Sequence, residues 1–227
     1  LKNRLLNKNY QIITRTKGGC IYFPGFNLVH KKTTKVYKNC DDIYFQRIKE
    51  ELLLEKNSVI VLGGRFPLYL SNKWFDNLEG GREENGKEWD YNYVANDNNI
   101  NFKDSFKLEL LEILKNNKVI IMYPIPEVGW YPSRQIYLQW INKKNKLSRE
   151  FDLKSVDTSF NVFKNRSETS FELLDSIKSN NLFRVYPNKL FCNTKIKNRC
   201  ITHDKSNFYY DDNDHPSIKG AEMINDL

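Results

Sequence analysis

The fold of this chain is most clearly indicated by one stretch, Val59-Ile60-Val61-Leu62-Gly63-Gly64-Arg65. Four apolar residues followed by two glycines are typical of a buried parallel β-strand that meets a loop at its carboxyl end. The run Val119-Ile120-Ile121-Met122 has the same character and ends at Tyr123-Pro124. We therefore predict two buried strands, each followed by a loop.

Stretches with helical periodicity alternate with these strands. Asp41 or Asp42 is a suitable N-cap for a helix that runs to about Lys56. Strands that alternate with helices predict a parallel sheet with helices on both faces. We therefore expect an α/β protein, a three-layer α/β/α sandwich with a mostly parallel sheet. The other predicted elements are a β-rich run at Gln11–Thr14, a loop or hairpin insertion at 71–100, helices at Asp104–Lys115, Gln135–Ile141, Thr169–Ser179 and Ser217–Ile224, and a short strand at Phe183–Val185.

The four cysteines form two pairs that are close in sequence, Cys20 with Cys40 and Cys192 with Cys200. No CxxC motif is present, so the spacing does not resemble that of a typical zinc site. We predict two disulfides, which persist mainly in oxidising compartments. Four unpaired buried thiols in a cytosolic protein remain the alternative.

Near the carboxyl end, Asp212 lies three residues before His215. At that spacing the carboxylate can turn back onto the imidazole, fix its tautomer and stabilise the imidazolium that forms when histidine takes a proton. Asp211 and Asp214 compete with Asp212 for this role. Pro216 suits the first turn of the following helix, and Gly220 allows that helix to pack closely.

This carboxyl-terminal segment resembles the last block of SGNH hydrolases, in which Asp-x-x-His-x-Ser and then Gly-Ala open the final helix. The cysteine loop Cys192–Cys200, the segment Gly18–Pro24 around Cys20, and Tyr123–Glu127 further resemble the SGNH domains fused to membrane O-acyltransferases of the acyltransferase-3 family. The resemblance covers essentially the whole chain. It implies an SGNH/flavodoxin-like fold and a serine esterase or acyltransferase with His215 as the base and Asp212 as its partner.

The family nucleophile lies in a Gly-Asp-Ser block, and that block is missing from this sequence. Residues 1–8 have the pattern of the tail of a helix. We therefore expect 1–227 to be a single SGNH-like domain that is N-terminally truncated, lacks its first strand and nucleophile loop, and is inactive alone.

The resemblance also implies an oxyanion site at the end of the first predicted strand. Ordinary SGNH enzymes have a Gly-x-Asn-Asp block there, whereas this chain has Gly63-Gly64-Arg65, as the fused domains do. Arg65 is the candidate oxyanion or substrate-positioning donor, and the backbone N–H of Gly64 is a weaker candidate. The alternative is that Arg65 forms a structural ion pair. We interpret Glu127 as a solvated loop carboxylate rather than a general acid.

By resemblance, the expected function is O-acylation, in particular O-acetylation, of cell-surface polysaccharide. A fused or partner membrane acyltransferase domain would supply the acyl group, and a glycan would accept it. The expected location is the periplasmic or extracellular face of the membrane, with tethering through an N-terminal transmembrane region outside this sequence. The alternative is a non-catalytic glycan-binding module that retains the SGNH fold.

Composition and motif content argue against some partners and cofactors. The net charge of +8 would suit nucleic acid, but the basic residues are scattered and no aromatic stacking motif accompanies them. We therefore expect no nucleic-acid partner. No metal-ligand cluster or phosphate-binding glycine loop is evident, so we predict no metal and no cofactor.

Overall fold

A three-stranded parallel sheet lies at the centre of the computed structural model, which describes residues 10–38, 40–96, 100–144 and 154–227. Its strand order is β2 (Val59–Leu62), β4 (Lys118–Met122) and β6 (Leu182–Val185). Ile60 lies opposite Val119, which in turn lies opposite Leu182. The predicted strands and their parallel arrangement are confirmed.

Helices connect the strands, and polar residues cap several of them. The Asp41 side chain accepts a hydrogen bond from the Tyr44 N–H, so Asp41 is the N-cap of the first helix. The helix predicted to begin at Thr169 begins at Phe160 instead, because Ser159 caps it there. The helices are α1 Asp42–Leu54, α2 Phe66–Ser71, α3 Phe102–Ile113, α4 Pro132–Lys144, α5 Phe160–Asp175, α6 Asn188–Phe191 and α7 Ile218–Asn225, and a 3-10 turn spans Glu83–Gly86.

Two small antiparallel pairs accompany the main sheet. β1 (Phe26–His30) pairs with β3 (Tyr91–Ala95), and β5 (Asp157–Ser159) pairs with β7 (Arg199–Ile201). The predicted insertion at 71–100 therefore returns to the body of the protein through β3. The β-rich run Gln11–Thr14 forms no strand, because it has no strand partner among the described residues. A β-prone sequence forms a strand only where another edge supplies its hydrogen bonds.

The sheet is covered by helices on both faces, which makes the fold an α/β/α sandwich. Ile60, Leu62, Val119, Ile121 and Leu182 point to one face and join the main core. That core is completed by α3 and by α5 with the turn that follows it, through Leu110, Ile113, Leu173, Leu174 and Ile177. On the other face, Met122 and Val185 pack in the cluster that contains Ile224 of α7.

The strand β2 is less buried than predicted. Val59 and Val61 point away from the main core and are 52% and 55% exposed. Full burial of this strand was therefore a wrong prediction, because α7 covers the second face beside β4 and β6 but not beside β2. An apolar strip runs along the outer edge of the sheet as a result.

Both predicted disulfides are present, Cys20–Cys40 and Cys192–Cys200. The first joins the segment before β1 to the start of α1, and the second closes the turn between α6 and β7. The predicted helix tail at residues 1–8 lies outside the described residues.

The final helix begins one residue later than predicted, at Ile218, with Ser217 as its N-cap. Pro216 precedes the cap and forms an isolated bridge with Tyr210, so its predicted place in the first helical turn is wrong. Gly220 packs as expected, since a Cβ at that position would lie 2.1 Å from the carbonyl oxygen of Tyr209.

We expect Gly220→Ala to lower the free energy of unfolding by about 1–3 kcal/mol, as overpacking does. Helix propensity alone predicts a gain of about 1 kcal/mol, so the sign of the change tests the close contact. Urea denaturation measures it. Gly18→Ala is the control, because nothing lies within 4 Å of its added Cβ. Equal effects of the two substitutions would contradict the packing argument.

Candidate active site

The predicted pair of Asp212 and His215 is brought together in the loop before α7. The imidazole Nδ1 of His215 lies 2.9 Å from Asp212 Oδ2. Asp212 Oδ1 also accepts the backbone N–H groups of Asp214 at 3.0 Å and His215 at 2.7 Å. The histidine side chain is 73% exposed. The carboxylate thus holds one side of the ring while most of the side chain faces solvent.

The backbone of this loop is fixed at both ends and in its middle. The Asp211 N–H donates to the carbonyl of His215 at 3.0 Å, which closes the loop on itself. The carbonyl of Asn213 accepts N–H groups from Val128 and Gly129, at 2.8 and 2.9 Å. These bonds attach the histidine loop to the segment that follows β4, at the carboxyl edge of the sheet.

A buried asparagine, Asn77, stabilises the segment to which the histidine loop is attached. The Asn77 side-chain amide donates to the Val128 carbonyl at 2.9 Å, and its oxygen accepts the N–H groups of Glu79 and Gly81. Asn77 is fully buried. Sequence reasoning missed it, because nothing local distinguishes it in a chain rich in asparagine.

Two of the three candidate carboxylates face His215. Asp214 Oδ1 lies 3.2 Å from His215 Nδ1, and its other oxygen lies 3.1 Å from Arg65 Nη1. Asp211 is exposed and its carboxylate has no hydrogen bond or ion pair with the described residues. The geometry therefore separates Asp212 and Asp214 from Asp211.

Arg65 follows β2 and is surrounded by carboxylates. Its Nε donates to Glu127 at 2.7 Å, its Nη1 donates to Glu83 at 2.8 Å, and its Nη2 contacts both acids. With Asp214, three carboxylates hold one guanidinium. Arg65 therefore forms the structural ion pairs that were the alternative interpretation of this residue. A direct contact between Arg65 and a reacting oxygen stays a prediction.

Glu127 is buried between two arginines. Its Oε2 accepts from Arg166 Nε at 2.9 Å, and its side chain is 5% exposed. The interpretation of Glu127 as a solvated loop carboxylate is therefore wrong. Burial raises its pKa, but the charges of Arg166 and Arg65 outweigh burial and hold the pKa below its usual range. Arg166 and Glu83 were not predicted, because neither belongs to a catalytic motif that the sequence shows.

The pKa values within the loop diverge. Burial raises the pKa of Asp214 to about 6, against the opposing charges of Arg65 and His215. Burial also acts on Asp212, but backbone hydrogen bonds and His215 bring its pKa below the usual value. For His215, burial lowers the pKa, and the hydrogen bond to Asp212 with the charges of both acids raises it overall.

A groove of about 1080 Å³ runs along the outer edge of β2 and ends at the histidine. Its wall is formed by residues between Tyr10 and Tyr22, by α1 residues such as Phe45 and Ile48, and by Val59–Arg65. Asp214, His215 and Pro216 lie at the end beside the carboxyl edge of the sheet. Gly64 fits this wall because a Cβ there would lie 2.7 Å from the side chain of Ile21.

The ligand-type atoms of Asp212, Asp214 and His215 lie within 4.8 Å of one another. Asp214 already contacts the Arg65 cation, and Asp212 accepts two backbone N–H groups. These partners stabilise the carboxylates without a further cation, so we assign no metal to the cluster. None of the described helices has the length and apolar character needed to cross a membrane.

Glu127→Gln should lower the free energy of unfolding by about 3–5 kcal/mol at pH 7, because it removes a charge from a buried ion-pair network. The folded-state pKa of Glu127 is depressed, so its contribution is present above the usual pKa of about 4.3 and is lost as the pH falls through the lower, folded value. Urea denaturation between pH 3 and pH 7 measures this.

The difference between wild type and Glu127→Gln should therefore shrink in acid. Glu84→Gln, at an exposed position in the same region, is the control and should change stability by less than about 0.5 kcal/mol. A difference that stays constant with pH would show that the pKa of Glu127 is the same in the folded and unfolded states.

Comparison with known proteins agrees with this geometry. Residues 1–227 match the model of a family described as the SGNH domain fused to AT3 domains. No curated protein and no solved structure matches the chain significantly. The family match covers the full sequence, and the SGNH-type Asp-x-x-His pair is assembled in the structure. The chain therefore belongs to the SGNH domains that are fused to AT3 domains, a hydrolase- or acyltransferase-like family.

Proposed function

We propose that this chain is the esterase-type part of an O-acyltransferase that modifies cell-surface polysaccharide, with His215 as general base. One observation carries the proposal. Asp212 anchors the imidazole at Nδ1 from 2.9 Å, while the exposed side chain lies at the end of a groove. A base needs both features, a fixed tautomer and an accessible second nitrogen.

The reaction would proceed in two steps. Nε2 of His215 accepts the proton of a serine hydroxyl as the serine oxygen attacks the ester carbonyl, and the proton then passes to the leaving alcohol. The acyl group is now bound to the serine. His215 next accepts the proton of a glycan hydroxyl as its oxygen attacks the acyl-enzyme, and it returns that proton to the serine oxygen as the bond between the acyl group and the serine breaks. Asp212 stabilises the imidazolium in both steps.

The groove beside β2 is our proposed place for the strand that carries the serine. Val59 and Val61 line it and are more than half exposed, and Gln11 and Ile13 line it as well, in a run that has no strand partner among the described residues. A strand parallel to β2 would bury the apolar strip and bond to both edges. Its carboxyl end would then lie beside His215.

Thiol labelling tests this placement. A cysteine introduced by Val61→Cys should react with a maleimide in the 227-residue chain. In a parent protein that includes the proposed upstream strand, it should react at least about tenfold more slowly, because the strand would bury the thiol and labelling would then require local opening of the sheet. Ile43→Cys is the control, since Ile43 lies on α1 and is 83% exposed. Equal labelling of Val61→Cys in both proteins would exclude a strand in the groove.

The substrates follow from the family and from the disulfides. An AT3 partner domain would supply the acyl group, and a hydroxyl of a surface glycan would accept it. Disulfides Cys20–Cys40 and Cys192–Cys200 support a periplasmic or extracellular location, where such a glycan is accessible.

Substitutions of His215 and Asp212 should show whether the histidine loop is catalytic. In the parent protein, His215→Ala should lower kcat/KM for p-nitrophenyl acetate by about 10³-fold or more, and Asp212→Asn by about 10²-fold or more. Asp211→Asn makes the same chemical change in the same loop and should stay within about twofold, because its carboxylate lies outside the hydrogen bonds of the site. Full activity in His215→Ala would exclude His215 as the base, whereas no activity above background in the wild-type parent protein would favour the glycan-binding module.

The pH dependence has a definite sign. A base must be neutral to accept a proton, so kcat/KM should fall as the pH drops through the pKa of His215. The raised pKa places that midpoint above the usual value of about 6.5. Asp212→Asn removes a carboxylate that stabilises the imidazolium, so the midpoint should move to lower pH. A pH–rate profile of the parent protein and of the variant measures both midpoints. An unchanged midpoint would show that Asp212 does not stabilise the imidazolium of His215.

A further inference from the structure

Asp214 lies between the imidazole of His215 and the guanidinium of Arg65. We propose that Asp214 is a second carboxylate that orients His215, and that Arg65 is the positioning residue that holds Asp214 in place. This inference rests on the proposed function, because it assigns roles within the same site.

The contacts place Asp214 inside the protein while the histidine points outward. Its side chain is 10% exposed, compared with 28% for Asp212 and 73% for His215. Its two oxygens divide between the partners, one 3.2 Å from His215 Nδ1 and one 3.1 Å from Arg65 Nη1. Asp214 therefore connects the exposed ring to a buried cation.

A second carboxylate beside Nδ1 requires a compensating charge. Asp212 and Asp214 both lie near the same ring nitrogen, and each raises the proton affinity of the histidine. Their mutual repulsion is offset by Arg65, the cation that contacts Asp214. Glu83 also acts on Asp214 electrostatically and raises its pKa.

Arg65 is itself held from the other side. Glu83 and Glu127 accept hydrogen bonds from its nitrogens, and Arg166 neutralises the second oxygen of Glu127. This fixes the guanidinium where Asp214 meets it. The nitrogens of Arg65 all contact carboxylates, so its contribution to the reaction passes through Asp214 rather than through a reacting oxygen.

Titration of the histidines by NMR tests the role of Asp214 without any substrate. The chain has only three histidines, and His215→Gln identifies the resonance of interest. Asp214→Asn should lower the His215 pKa by about one unit, a tenfold loss of proton affinity. Asp211→Asn is the matched control and should leave it within about 0.2 units. The resonances of His30 and His203 report whether each variant is folded, and Asp214→Ser repeats the measurement with a different side chain.

An unchanged His215 pKa in folded Asp214→Asn or Asp214→Ser, with a lowered pKa in Asp212→Asn, would overturn the assignment of Asp214. This result does not depend on catalysis. The esterase proposal can therefore fail, through an inactive parent protein, while the Asp214 contact is confirmed.

A double-mutant cycle in the parent protein tests Arg65. Asp214→Asn and Arg65→Lys should each lower kcat/KM by about tenfold, and Arg65→Lys should add little when Asp214 is already asparagine. Non-additivity of this kind is expected only if Arg65 acts through Asp214. An Arg65→Lys effect that is as large in the Asp214→Asn background would overturn the positioning role and indicate that Arg65 acts directly on the substrate.

Discussion

The interaction on which the site depends is the buried ion-pair network around Arg65 and Glu127. Glu127 follows β4, Arg65 follows β2, and Arg166 belongs to α5, so one cluster of charges joins three separate parts of the fold. A charge buried without its partners costs several kcal/mol. A partly formed network would therefore destabilise the fold. The complete network holds together the carboxyl edge of the sheet, to which the histidine loop is attached.

A second constraint acts through the backbone. The loop that carries His215 is attached by the Asn213 carbonyl to Val128 and Gly129, and Asn77 holds the Val128 carbonyl in turn. The three hydrogen bonds, two to the Asn213 carbonyl and one to the Val128 carbonyl, use none of the side chains that we propose for the reaction. They limit the freedom of the loop, so that the charged groups need only set the orientation of the ring.

The features that the sequence predicted are those encoded locally. Strand β2 is a continuous apolar run, Asp41 is an N-cap beside its own helix, and Asp212 lies three residues from its histidine. The features that it did not predict join residues far apart in sequence, such as Arg65 with Glu127 and Asn77 with Val128. Gln11–Thr14 is a further case in which local sequence is not sufficient. Its residues favour a strand, but a strand needs a partner edge, and the described residues do not supply one.

The open edge of β2 has a consequence for the behaviour of the domain in solution. Within the part of the chain that the structure describes, no strand pairs with the outer edge of β2, and such an edge with apolar side chains at Val59 and Val61 is a template for pairing with another chain. Two isolated domains would satisfy it by associating edge to edge, so self-association should grow with concentration. The same strip would limit the solubility of this 227-residue chain despite its net charge of +8.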